Sequence, residues 1–208
     1  NATTFANWTL ECWVKGAAAP SSVNYSGPMY EENMAIGWNH NTAAFRGAAA
    51  VQAANNQFYS ASFGNLQGNV WYHLAATYDG SVLKAYTNGV LINTVNTAGG
   101  MANSTNNMVF GKHPTLSQFF NGTLDEVRIW NVARSCSEIN STMNLELNGA
   151  VPGLLACYHM NDGTPGITNT NNGIADASGN ANNATISGLA LTGTTSNFVT
   201  GSSRNASY

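Results

Sequence analysis

A length of 208 residues admits one large domain or two small ones, and 43% apolar residues are enough to build a hydrophobic core. Charged residues make up only 8% of the chain, against about 25% in an average domain, and the net charge of −3 leaves no basic stripe for nucleic acid. Thirty asparagines outnumber the seventeen charged residues, so amides and hydroxyls carry solubility, which favours neutral partners such as sugars and an extracellular setting.

Strand signals begin with WTLECWVKG, where Leu10, Cys12 and Val14 fall on one face and Thr9, Glu11, Trp13 and Lys15 on the other. NMAIGWNH (33–40), AAFRGAAAVQ (43–52) and QFYSASFG (57–64) read as three successive antiparallel strands, separated by the turn-prone NHNT and AANN. The run VWYHLAATYDGSVLKAYTNGVLINTVN contains Asp79-Gly80 and Asn88-Gly89, so it predicts three strands joined by two tight hairpins. NNMVFGKH (106–113) and GTLDEVRIWN (122–131) are further strands. SCSEINSTMNLEL is the helix candidate, capped by Ser135 or Ser137, with Ile139, Met143 and Leu147 at helical spacing. GLLACYHMND (153–162) returns to strand, followed by a long Gly/Asn/Thr-rich loop and a short strand in ATISGLAL. This spacing predicts an all-β antiparallel β-sandwich with one short helix, as a single domain over 1–208. No apolar run approaches the roughly 20 residues that span a bilayer, so membrane insertion is not expected.

Cys12, Cys136 and Cys157 make an odd count, and no CxxC pair suggests a zinc site. They read as small buried hydrophobes, with a single bridge between two of them as the alternative.

Four charges crowd into NGTLDEVRIWNVARS. In a regular strand Asp125, Val127 and Ile129 share one face and Leu124, Glu126, Arg128 and Trp130 the other. Asp125 and Glu126 then point oppositely and cannot form an acid/base pair on one sugar ring, which needs carboxyl groups about 5–9.5 Å apart around a common substrate. Glu126 and Arg128 are expected to pair with each other or with a neighbouring strand, and Arg134 to cover the sheet edge. The cluster therefore reads as structural.

The motifs WTLECWVKG, WYHLAATYDGSVLKAYTNGVLI, FFNGTLDEVRIWNVARSCSEI, GLLACYHMNDG and DASGNANNATISG occur in this order. Together they resemble the laminin-G-like, or concanavalin A-like lectin/glucanase, domains of large bacterial secreted and cell-surface proteins. The resemblance spans about Thr9 to Gly201. It implies a concanavalin A-like jelly roll within a larger multidomain chain. A family strand of the type LxFDGxxDYV is expected either outside this sequence or replaced by another segment, such as one near the C terminus. The resemblance also implies a structural calcium ion, Ca2+, at Asp125, with Asn7 and Asn33 as further oxygen ligands. The glucanase signature, acidic residues at alternate positions, has no counterpart here.

Trp8, Trp13, Trp71 and Trp130 match family positions and imply packing, as His73 implies a structural role. Trp38, His40, Arg46 and Tyr59 do not match, and on neighbouring strands beside the Ala-rich AAFRGAAAV they would line a concave ligand surface. Aromatic faces and polar side chains are what a pyranose needs. The expected function is a non-catalytic module binding a polysaccharide or surface glycan, secreted or at the cell surface and flanked by other domains. An adhesive spacer contacting proteins is a second reading, and a lyase or glycosidase a third.

Overall fold

Period-two alternation of apolar side chains makes strands the dominant regular structure of this chain. The computed structural model describes residues 6–17, 25–39, 45–104, 106–193 and 197–199, with residues 25, 26, 38, 39, 45 and 46 described by backbone alone. In chain order the strands are β1 (Trp8–Gly16), β2 (Tyr25–Tyr30), β3 (Met34–Asn39), β4 (Phe45–Gln52), β5 (Phe58–Leu66), β6 (Trp71–Tyr78), β7 (Val82–Thr87) and β8 (Val90–Asn96). They continue with β9 (Val109–Phe110) and β10 (Gly122–Trp130), the helix α1 (Cys136–Thr142), then β11 (Leu154–Tyr158), β12 (Gly173–Ile174) and β13 (Ala184–Thr185).

Two antiparallel sheets face each other, one in the order β11-β10-β1-β6-β7-β8 and the other β5-β4-β3-β2-β9, while β12 and β13 form a separate pair. The core lies between the two sheets. Leu10, Cys12 and Val14 of β1 meet Leu74 and Ala76 of β6 and Val127 of β10 there, facing Met29, Ile36, Ala49, Val51 and Phe63 of the other sheet. At about 25 cal/mol per Å² this interior is the main source of stability. β1 is buried on its other face too, because α1 and the segment after it cover that side. The predicted hairpins are present. Asn88 and Gly89 both take positive φ (49° and 75°), as the two-residue turn between β7 and β8 requires. The Asp79 carboxylate accepts from the Ser81 and Val82 backbone N–H groups at 3.0 and 2.8 Å.

Three expectations need correction. β2 was not foreseen, because its Gly27-Pro28 reads as loop. Pro28 has no N–H to give a ladder, and it sits where the β2/β3 register shifts between Ser26 and Met29. A side chain at Gly27 would run into the Ile36 carbonyl, so this irregular stretch fits only glycine. The strand expected over 106–113 contracts to Val109–Phe110. The helix ends at Thr142 and does not run to Leu147, because side chains from the sheet capture the carbonyls of Thr142, Met143 and Leu145. Its start is as expected: the Ser135 hydroxyl accepts from Glu138 N–H, and Ser135 N–H donates to the Glu138 carboxylate at 2.7 Å.

Simple parity also fails on β10. Glu11 pairs with Arg128 but Trp13 pairs with Asp125, so β10 spends one extra residue, and Glu126 takes φ +49°. This is a β-bulge. It lets Leu124 pack against the inter-sheet core together with Val127 and Ile129, while Glu126 joins Arg128 on the outside.

Candidate functional site

The charged cluster resolves into a buried ionic network on the outer face of the six-stranded sheet. Glu11 is fully buried, and its carboxylate accepts from Arg134 Nη1 at 2.9 Å and from Trp130 Nε1 at 2.8 Å, with Arg128 Nη1 at 3.8 Å and His73 Nε2 at 3.5 Å. Arg128 Nη2 donates to Glu126 Oε2 at 2.8 Å, and Glu126 Oε1 lies 2.8 Å from His159 Nδ1. Burial alone would raise the Glu11 pKa, but His73, Arg128 and Arg134 outweigh it and draw it down to about 2. Burial likewise holds Arg134 below its ordinary value despite Glu11, yet the 2.9 Å contact keeps it the principal ion-pair partner.

The same side chains latch the covering layer. Arg128 donates to the Thr142 carbonyl at 2.9 Å and to that of Leu145, Trp13 Nε1 to Met143 at 2.7 Å, and Arg134 Nη2 to Glu138 at 2.6 Å. Arg134 also lies over the Trp130 ring, 4.0 Å from its centroid. The expected Glu126–Arg128 pair is therefore present, whereas Arg134 is buried beneath α1 and does not cover a sheet edge. The network holds the fold, because each charge has a partner within the protein.

A cleft of about 1130 Å³ opens among the described residues. Its lining includes Asn106, Asn121, Asn182, Asn183, Phe119 and Tyr158. Phe119 is 62% exposed, and Lys112 Nζ lies 5.8 Å from its ring centroid. Trp71 and Lys15 lie further along the same rim, at 5.3 Å. Amides and aromatic rings in one cleft can bind sugar hydroxyls and C–H faces together. Two carboxylates, Glu31 and Asp125, also line it. Glu31 accepts from the Ser104 hydroxyl and from Asn33 N–H (2.9 Å), and Asp125 Oδ1 from Glu126 N–H (3.0 Å). Sequence reading found neither this cleft nor the place of Glu31 in it, since both depend on segments remote in the chain.

The residues expected to hold calcium do not all converge. Asp125 is buried and lies opposite Trp13. Asn7 precedes β1, six residues before Trp13, which is about 20 Å of extended strand. Its side-chain amide donates to the Asp79 carbonyl at 2.8 Å. Asn7 therefore cannot share an ion with Asp125. Asn33 stands in the β2–β3 turn of the opposite sheet, where its Nδ2 donates to the Ala102 carbonyl at 3.0 Å.

The residues expected to line the concave surface are only partly grouped. β3, β4 and β5 are neighbours, as expected. Trp38 stands opposite Gly47, and Arg46 opposite Asn39, so the two positions are close along the ladder but belong to pairs on opposite faces of the sheet. Tyr59 stands opposite Val51, four residues along β4 from Gly47, or about 13 Å. Its hydroxyl donates to Gln57 Oε1, and its ring packs against the core. His40 lies outside the described residues. The three cysteines are free, but only Cys12 and Cys157 are buried, and Cys136 is exposed.

A two-sheet antiparallel sandwich with a helix latched to one outer face and an amide-and-aromatic cleft is a lectin-like β-sandwich. The chain belongs to the concanavalin A-like lectin/glucanases superfamily, whose Laminin_G_3 family matches residues 1–140. Mouse pappalysin-1 (Mus musculus) is 36% identical over 92 residues, 41% of this chain but only 6% of that protein. Among solved structures, a "putative carbohydrate binding protein" from Bacteroides ovatus ATCC 8483 superimposes with a TM-score of 0.69 at 23% identity, covering 89% of this chain and 53% of that one. The binding domain of Paraclostridial Mosquitocidal Protein 1 gives 0.52 at 11% identity, covering 69% of this chain and 38% of that one. The chain thus spans about half, or less, of these relatives. No helix among the described residues is long and apolar enough to cross a membrane.

Proposed function

We propose that this domain is a non-catalytic glycan-binding module of a larger secreted or cell-surface protein. The observation that carries the reading is the cleft of about 1130 Å³, where asparagine amides and the exposed Phe119 ring share one concave surface. Lys15 and Lys112 on its rim extend the ligand class to acidic polysaccharides. The Bacteroides ovatus relative, with the same fold and the carbohydrate-binding description, adds support.

A second ligand surface around Trp38 on β3 is part of the same proposal; the strand register puts the Arg46 position on the other face and Tyr59 about 13 Å away, so neither joins it. Within the same proposal a structural calcium ion sits at Asp125, with Asn33 as its amide ligand and without Asn7. Six to eight oxygens are needed, so backbone carbonyls have to supply most of them.

The test is a set of thermal melts and titrations against neutral and acidic polysaccharides. A ligand-dependent rise in Tm that Phe119→Ala removes supports the cleft, and one that Trp38→Ala removes moves the site to β3. No response to any glycan leaves the spacer reading. Release of reducing ends that stops in Glu31→Gln would make the cleft a glycosidase site instead.

A further inference from the structure

We propose that Glu126, Cys157 and His159 form a binding site for a divalent transition metal ion of the zinc type. Their ligand atoms, a carboxylate oxygen, a thiol sulfur and an imidazole nitrogen, all lie within 4.8 Å of one another. Adjacent strands bring them together: Arg128 of β10 stands opposite Cys157 of β11. Cys157 and His159 are two residues apart and point to the same outer face, while Tyr158 between them packs into the inter-sheet core. Glu126 lies on that face as well, beside Arg128.

The donors are already oriented. Arg128 holds Glu126 Oε2 at 2.8 Å, which leaves Oε1 directed at His159 Nδ1. On the far side of the ring, His159 Nε2 lies 3.4 Å from the Asn148 side-chain oxygen. With an ion bound, the Nδ1···Oε1 hydrogen bond gives way to a bond from each atom to the metal, and the Asn148 side-chain oxygen can accept from Nε2–H on the far side. Fixing the second ring nitrogen of a metal-bound histidine by an outer hydrogen bond is the usual way such a ligand is positioned. The Cys157 sulfur is buried, with the Leu147 carbonyl 3.6 Å away as a fourth donor.

The mixed sulfur, nitrogen and oxygen set selects zinc or cobalt over calcium, which takes oxygen alone. Bonds of about 2.0–2.3 Å in a tetrahedron place the ligand atoms about 3.3–3.8 Å apart. The Glu126–His159 contact therefore has to open by about half an ångström, and the His159 side chain, 16% exposed, gives the ion its entry. On binding, the Cys157 S–H bond breaks, its proton leaves to solvent and a sulfur–metal bond forms, with no change of oxidation state. The ion would pin the Leu147–Asn148 segment to the sheet beside α1.

Chelator-treated protein titrated with Co(II) tests this directly. We expect thiolate-to-cobalt charge transfer and tetrahedral d–d bands saturating at one equivalent, displaced by Zn(II), and no effect of calcium. Cys136→Ala should keep the bands. Cys157→Ala should lose them, and His159→Gln, at a position 16% exposed, should weaken cobalt binding at least tenfold. Absence of a thiolate band in the wild type would overturn the proposal. So would a band that survives in folded Cys157→Ala or disappears in Cys136→Ala. If Cys157→Ala fails to fold, His159→Gln decides: unchanged cobalt affinity refutes the site.

Discussion

Glu11, on the first strand, accepts a hydrogen bond from Arg134 across 123 residues of sequence, with both side chains buried beneath the helix. The two ends of the six-stranded sheet's central region are thereby joined by one charge pair. Removing one member leaves the other charged and unpartnered. We expect Glu11→Ala to cost about 3–5 kcal/mol in urea unfolding, and a loss below about 1 kcal/mol would show that the network is incidental.

The same carboxylate sets an acid limit. Its pKa is near 2 when folded, against an ordinary value of 4.5. A depressed acid stabilises the folded state fully above the ordinary value, and that contribution disappears as pH falls from about 4.5 to about 2. The shift corresponds to about 3 kcal/mol at most. Melts from pH 7 to pH 2 should show Tm falling across that window, and Glu11→Gln should start lower and fall less steeply.

The helix has seven residues, too few to persist alone. Its capping box therefore matters more than its interior. Ser135→Ala should lower stability by about 1 kcal/mol by denaturant titration, and Ser135→Asp should restore most of it.

The β7–β8 turn also holds the helix. Gly89 O accepts from Asn140 Nδ2 at 2.9 Å and from the Cys136 thiol at 3.1 Å. Gly89→Ala puts a methyl group into the Asn140 side chain at a positive φ. We expect a cost of about 1–2 kcal/mol and faster modification of Cys136 by a thiol reagent. In the unaltered protein that reagent should consume one thiol when native and all three in denaturant. Burial pushes the Cys157 thiol up to about 11 and raises Cys12 further.

If the cleft binds glycan, Phe119→Ala and Trp71→Ala should each weaken binding about tenfold. Removing one aromatic face forfeits about 1–1.5 kcal/mol, and isothermal titration would show the loss without a change in Tm of the free protein.

Much of this architecture was legible because alternation and Asn-Gly or Asp-Gly turns are local signals. β3 to β8 fall where the pattern puts them. The failures are nonlocal. β2 hides behind Pro28, whose missing N–H matters only in relation to the register of β3. Leu147 continues a helical spacing, but Arg128 and Trp13 take the carbonyls that would extend the helix. Asn7 offers a suitable amide oxygen, yet its position just before β1 separates it from Asp125. Glu31 and Asp125 line one cleft although 93 residues lie between them, a proximity no local pattern encodes.

The extra residue at Glu126 acts as a reading-frame shift within a single strand. Downstream of it, even-numbered side chains serve the outer layer. Upstream, Leu124 serves the core. A one-residue deletion there would restore regular alternation and swap the assignments on one side of the cut, putting a leucine outside or an arginine inside. A relative lacking that residue would need compensating changes along half of the strand, so the insertion and the Glu126–Arg128 pair should be gained or lost together.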